Sequence, residues 1–338
     1  MNSARFQKIA ARYPALRLAI VGDFCLDRYL EIDPARAEIS LETNLPVHNV
    51  VRVRSQPGGA GTILNNLVAL GIGTIHPVGF CGVDGEGFEL RRALEARAGV
   101  RLDHFLETPG RRTFTYCKPL VMEAGRSPRE LSRLDSKNWS PTPETVQAQL
   151  IASLRRLAPA VDGFIVMDQV DVADTGVVTR RLLEAVRELC TVNPHLLVIA
   201  DSRRGLREYP PVVFKMNAAE LAALAGTASD ASLDDIKRTA GALARRNRQH
   251  VFVTLAERGL LGAAPDGSVA HVAALPLRGE IDVVGAGDAV TANLTAALAA
   301  GAALGEVVTV ANCAASLVIH QLGTTGTASV EQIAGLLR

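Results

Sequence analysis

Five short runs rich in β-branched and other apolar residues recur along the chain, and most close on an acidic or amide side chain. Leu18–Val21 leads into Gly22-Asp23, Gly163–Asp168 and Leu196–Asp201 end in Asp, Val212–Asn217 ends in Asn, and Val251–Leu255 completes the set. Runs this short and this apolar suit strands buried on both faces. Stretches of helical period lie between several of them, among them Thr175–Cys190 and Leu233–Asn247. Strand and helix alternating in this way predict an α/β fold with a doubly wound, mostly parallel sheet flanked by helices. In such sheets ligands collect beyond the carboxyl ends of the strands, where these Asp and Asn side chains fall.

Two stretches break the rhythm. Pro46–Arg54 and Arg112–Met122 are rich in β-branched and aromatic residues and partly alternate, as half-exposed antiparallel strands do. They predict a small β-lid built from two excursions, about 28–56 and 104–136, on a single domain spanning 1–338. Ser140-Pro-Thr-Pro143 marks the return to the core, because a residue before proline is biased away from helix. Exposed strand edges on such a lid would allow a homodimer through it.

The charge balance narrows the partners. Thirty-six basic residues against thirty-five acidic ones give a net charge of +1, so no global field favours nucleic acid or an anionic membrane. Five scattered cysteines form no Cys-x-x-Cys pair, which argues against a disulfide framework or structural zinc. Met1–Arg17 lacks the continuous apolar core of a signal peptide, and Ala289–Leu304 falls short of the roughly 20 residues a membrane span needs. The cytoplasm is the expected location.

Three glycine or polar constellations could carry chemistry. Ile281-Asp-Val-Val-Gly-Ala-Gly-Asp288 precedes a small-residue helical run. Gly285 and Gly287 would let backbone approach a ligand, the first helical turn offers unpaired N–H groups to an anion, and Asp288 could accept a hydroxyl proton. The same residues would also serve as a plain loop-to-helix junction with Asp as a cap. Lys215-Met-Asn-Ala-Ala-Glu220 sits at a strand end, where Lys215, Asn217 and Glu220 could meet phosphates and a hydrated Mg²⁺. Its plainer role is a helix start, with Asn217 and Glu220 forming a capping box. Pro57-Gly-Gly-Ala-Gly61 precedes an apolar helix from Thr62 to Leu70, so Gly58 and Gly59 could press on a small polar ligand that Asp23 and Asp27 hold by its hydroxyls. A flexible turn beside two solvated carboxylates would give the same pattern.

The order of these pieces along essentially the whole chain resembles the ribokinase (PfkB) family of carbohydrate kinases: Gly-Asp-x-x-x-Asp at 22–27, Gly-Gly at 58–59, Lys-x-Asn-x-x-Glu at 215–220 and Gly-Ala-Gly-Asp at 285–288. The resemblance implies a ribokinase-like fold, ATP and Mg²⁺ as cofactors with room for a monovalent cation, and transfer of a phosphoryl group to a sugar hydroxyl. It implies Asp288 as catalytic base, Gly285, Ala286 and Gly287 as the anion hole, and Asn217 with Glu220 organising Mg²⁺ through water. Lys215 would meet the ATP phosphates, Asp27 with Gly58 and Gly59 the sugar, and Thr254, Gly259 and Asn312 the nucleotide. Within the family, 22–29, 38–47, 131–135, 282–288 and 322–325 look like the kinase domain of bacterial heptose-7-phosphate kinases, which implies a heptose 7-phosphate acceptor phosphorylated at its anomeric hydroxyl. Another sugar or nucleoside kinase of this fold, or a catalytically silent sugar- or nucleotide-binding regulator, is the alternative.

Two departures stand out. Thr62 replaces an amide usual in the continuation of the double glycine, so a shorter hydroxyl would face the sugar, and Val284 stands where Thr is usual. Arg52 and Arg54 on one lid segment, and Arg111, Arg112, Lys118 and Arg133 on or just beyond the other, would converge on a distal phosphate if the segments pair.

Overall fold

In the computed structural model, which describes residues 1–228 and 230–337, a central sheet of nine strands runs through the molecule. From one edge to the other its strands are Val269–Val272, Leu260–Ala263, Val251–Thr254, Val213–Asn217, Val198–Ser202, Gly163–Asp168, Arg17–Gly22, Thr74–Gly82 and Phe105–Thr108. Neighbours are parallel from Val251–Thr254 through to Phe105–Thr108, and the remaining two strands add as antiparallel hairpins.

Side chains alternate across each strand, so each contributes to two cores. Leu18, Ile20, Ile165 and Ile199 pack beneath helices Ala60–Ala69, Ala286–Ala299 and Leu304–Val318. Ala19, Val21, Val166 and Ala200 pack beneath Glu144–Leu157, Arg180–Val192 and Leu233–Asn247. Burial on both faces is why these strands read as continuous apolar runs. Among the described residues no helix is long and apolar enough to cross a membrane.

Later strands step outward from one side of Arg17–Gly22 and earlier ones from the other, so the sheet order reverses between Arg17–Gly22 and Gly163–Asp168. A crevice at the carboxyl ends follows from that reversal.

A second sheet stands off this end. Its strands run Leu134–Ser136, Thr115–Val121, Phe24–Ile32 and Val50–Gly59, with Arg129–Glu130 paired to Thr115–Val121. Phe24–Ile32 follows the first central strand directly and supplies the middle of this sheet, an element not anticipated from the pattern. Phe105–Thr108, placed in the lid by its sequence position, belongs instead to the central sheet. It pairs in parallel with Thr74–Gly82 in the register Gly79↔Phe105, and the buried Phe105 ring meets Phe24 edge-on at 5.4 Å.

Candidate active site

Gly285 has φ 83° and caps helix Ala286–Ala299 in the left-handed region, which glycine enters without a Cβ penalty. The turn before it holds itself together: Val284 N–H donates to Asp282 Oδ1 at 3.0 Å and Ala286 N–H to the Val283 carbonyl at 3.2 Å. The N–H groups of Gly287 and Asp288 have no partner among the described residues, so the first turn presents two donors and the positive end of the helix dipole. The Asp288 carboxylate likewise has no hydrogen-bond partner there. Burial, then the Asp201 charge, push its pKa up to about 7, against the pull of Lys215.

Lys215 lies at the centre of the Val213–Asn217 strand and is buried. Its Nζ donates to Asp201 Oδ2 at 2.7 Å, and Thr291 Oγ1, one turn beyond Asp288, donates to the same oxygen at 2.9 Å. A Cβ on Gly287 would lie 3.1 Å from that Nζ, so glycine there lets the ammonium sit against the first turn of the helix. Burial alone would lower the Lys215 pKa, but Asp201 overrides it and the net direction is up. Asp201 and Thr291 were given no role from the sequence. Asp201 carried a signal, as a carboxylate closing an apolar run, whereas Thr291 lies unmarked in a small-residue helix.

Asn217 and Glu220 close a capping box: Asn217 Oδ1 accepts from Glu220 N–H at 2.9 Å, and Glu220 Oε2 accepts from Asn217 N–H at 2.7 Å. The cap leaves Glu220 Oε1 without a partner among the described residues. Burial raises the Glu220 pKa. No group of three or more His, Cys, Asp or Glu among the described residues is gathered as a ligand cage. An oxygen donor with one atom open, within electrostatic reach of Lys215 and Asp201, does fit a hydrated Mg²⁺, which keeps several waters and takes few protein ligands.

Asp27, expected to meet the sugar, is buried in an inner strand of the second sheet, paired with Gln56 and Tyr116. A Cβ on Gly58 would come within 2.5 Å of Asp27 Oδ2. Gly59 has φ 57°, and a Cβ there would meet the Asp23 carbonyl at 2.6 Å. Asp27 is within electrostatic reach of Asp288, so the two carboxylates face one site.

Several of the expected contact residues are engaged within the protein itself. Asp23 is buried with both carboxylate oxygens engaged by backbone: Oδ2 accepts from Gln169 N–H at 2.9 Å and Oδ1 from Val177 N–H at 2.6 Å. It ties the 169–177 segment to the core and is not free to hold a sugar hydroxyl. Thr62 is buried inside helix Ala60–Ala69 at 1% exposure, because the helix turns that face inward. Gly259 has φ 92°, and a Cβ there would fall 2.0 Å from the Val272 carbonyl, so close backbone crossing demands the glycine. Asn312 Nδ2 donates to the Ala273 carbonyl at 2.9 Å and anchors that segment. Thr254 ends its strand beside Asn217, where it can still border a nucleotide.

The cations divide. Sheet register puts Asp27, Tyr29 and Glu31 on one face with Gln56, Arg54, Arg52, Tyr116 and Lys118. Arg54 and Lys118 flank the Tyr29 ring at 4.8 and 5.0 Å, and Arg133 lies over Tyr116 at 5.1 Å. Arg54 pairs with Glu31 at 2.6 Å and Arg133 with Asp135 at 3.1 Å. Arg111 does not join them: it is buried, donating to the Ser140 and Pro141 carbonyls at 3.0 and 3.3 Å and to that of Thr175. Arg112 turns to Asp84 at 3.8 Å.

A family model for pfkB family carbohydrate kinases matches residues 18–331. The bifunctional protein HldE of Hyphomonas neptunium is 32% identical over 337 residues, 99% of this chain and 66% of that protein. The bifunctional protein HldE of Alkalilimnicola ehrlichii is 34% identical over 320 residues, 94% of this chain and 62% of that protein. The chain thus spans about two-thirds of the length of these curated relatives. Phosphofructokinase-2 from Escherichia coli, solved in complex with substrates and products, aligns with TM-score 0.72 at 19% identity, covering 95% of this chain and 99% of that one. Arabidopsis thaliana ribokinase, complexed with ribose and ATP, aligns with TM-score 0.67 at 18% identity, covering 96% and 99%. At these identities the structural likeness establishes the ribokinase-like fold.

Proposed function

The chain belongs to the pfkB family of carbohydrate kinases, and from that premise we propose that it transfers the γ-phosphoryl group of ATP to the anomeric hydroxyl of a heptose 7-phosphate. The observation that carries the chemistry is the unpartnered Asp288 carboxylate beside the free N–H groups of Gly287 and Asp288, with Asp27 across the site. Asp288 takes the proton of the acceptor hydroxyl as its oxygen bonds to the γ-phosphorus, and the bond from that phosphorus to the β–γ bridging oxygen breaks, releasing ADP. The two N–H groups and Lys215 stabilise the charge on the moving phosphoryl group, which needs positioning and electrostatics more than covalent help. Mg²⁺, when bound through water near Glu220, supplies further charge neutralisation for the phosphates.

The acceptor assignment rests on the likeness to heptose-7-phosphate kinases at 22–29, 38–47 and 131–135, on the relatedness to the HldE proteins, and on the cations beside Asp27. Lys118 has no ion-pair partner among the described residues, and Arg133 is half exposed, so both remain available to a distal phosphate. The consumption of ATP fits a cytoplasmic setting. The edge strand Val50–Gly59, with Val51 and Val53 exposed, supports a homodimer through the second sheet.

A coupled ADP-release assay with MgATP against a panel of sugars, nucleosides and sugar phosphates, with and without potassium, tests the assignment. Preferred turnover of heptose 7-phosphate is expected. Turnover of an unphosphorylated sugar or a nucleoside instead would move the substrate, and no turnover of any acceptor would remove the enzymatic reading of this site.

A further inference from the structure

Gln56 bridges two parts of the site that are far apart in sequence. Its Nε2 donates to Thr325 Oγ1 at 2.7 Å and its Oε1 accepts from Thr324 Oγ1 at 3.3 Å. Gln56 is paired with Asp27 in the second sheet and immediately precedes Pro57-Gly58-Gly59. Thr325 packs on Gly285: a Cβ placed there would lie 3.3 Å from Thr325 Cβ. One amide therefore links the strand paired with Asp27 to the segment that packs on Gly285. Among the described residues no other side-chain hydrogen bond joins the second sheet to residues 281–327.

We propose that Gln56 is a positioning residue for phosphoryl transfer, holding the 324–325 turn so that the acceptor seat and the Gly285–Asp288 turn keep a fixed separation. The proposal rests on the reading of Asp288 and the anion hole given above. Glutamine suits the task because its side chain offers a donor and an acceptor at once, and the two threonine hydroxyls can each take either part. The latch is not required to build the helix. Gly285–Asp288 is shaped by its own turn bonds, and the Ala286–Ala299 helix is held by its buried Ala289, Val290, Ala292 and Leu294. Its effect falls on alignment, and misplacement of reacting groups by about 1 Å is enough to lower rate steeply.

The test is a double-mutant cycle of Gln56→Met and Thr325→Val, with Thr325→Ser as the conservative variant, assayed with MgATP and heptose 7-phosphate or whichever panel acceptor the wild type turns over best. Loss of one neutral hydrogen bond corresponds to about fivefold, so each of the first two variants is expected to lose about fivefold or more in kcat with the ATP KM within about twofold. The double variant should be no slower than the slower single, and Thr325→Ser should retain activity. Additive losses in the double variant, or equal damage from Thr325→Ser and Thr325→Val, would overturn the coupling. If Gln56→Met does not fold by thermal melting, the Ser and Val pair decides alone. Wild-type inactivity on every acceptor, or an active Asp288→Asn, would instead strike at the underlying reading of the site.

Discussion

Lys215 Nζ and Asp201 Oδ2 form a buried pair at 2.7 Å, joining two neighbouring strands beneath the helix that carries Asp288. Thr291 anchors the same Asp201 oxygen from the helix side. The two strands and the helix are thereby fixed relative to one another, and the pair adds to burial in setting the charge state of Asp288, Asp201 raising its pKa and Lys215 lowering it.

The pH dependence follows from it. Asp288 accepts a proton only as the carboxylate, and its pKa is raised to about 7, so activity is present above that value and lost as pH falls through it. kcat/KM measured across pH should rise through about 7 and then level. Lys215 holds the Asp288 value down, so Lys215→Met should move the inflection upward as well as slow the reaction. An inflection in the ordinary carboxylate range near pH 4 would contradict this environment for Asp288.

Glu220→Gln separates metal organisation from capping. Glutamine can still accept from the Asn217 N–H and keep the box closed, so thermal stability should change by less than about 1 kcal/mol. The Mg²⁺ concentration for half-maximal activity should rise. An unchanged Mg²⁺ titration together with a lower melting temperature would reduce Glu220 to a cap.

Gly58→Ala pushes a methyl to within 2.5 Å of the Asp27 carboxylate, which must move. The expected result is a raised KM for the sugar, with the ATP KM nearly unchanged, because Gly58 and the Gly285–Asp288 turn belong to different elements. Equal increases in both constants would place the effect on the fold rather than on the acceptor seat.

Arg133→Ala tests the distal phosphate. A charge-assisted hydrogen bond contributes about 1.5–3 kcal/mol, so KM for a phosphorylated acceptor should rise about tenfold or more while its unphosphorylated counterpart is nearly indifferent. Equal wild-type kcat/KM for the two acceptors would argue against a phosphate subsite on this face.

The central sheet was legible because burial on both faces writes apolar runs that few other structures need. The second sheet was harder to read: Phe24–Ile32 begins one residue past the first central strand, and its polar alternation passes for a ligand-facing turn. That also explains Asp23, whose position suggested a sugar contact but whose carboxylate is turned onto the Gln169 and Val177 amides. Asp288 and Lys215 stood out through glycine spacing and strand-end chemistry. Asp201 stayed without a role because its partner Lys215 lies 14 positions away and Thr291 lies 90 away, a meeting that only the sheet order creates. Arg111 shows the converse, a cation grouped with the lid by sequence but buried against carbonyls by packing.

Turnover and ATP binding of Asp288→Asn, measured side by side, test the account most directly. The amide preserves shape and removes the proton acceptor, and general-base catalysis contributes about a hundredfold to ten-thousandfold. The variant should bind ATP nearly as the wild type does, by titration calorimetry, while kcat falls within or beyond that range. Retention of more than about a tenth of wild-type kcat, a loss far smaller than removal of a general base produces, would contradict Asp288 as the base.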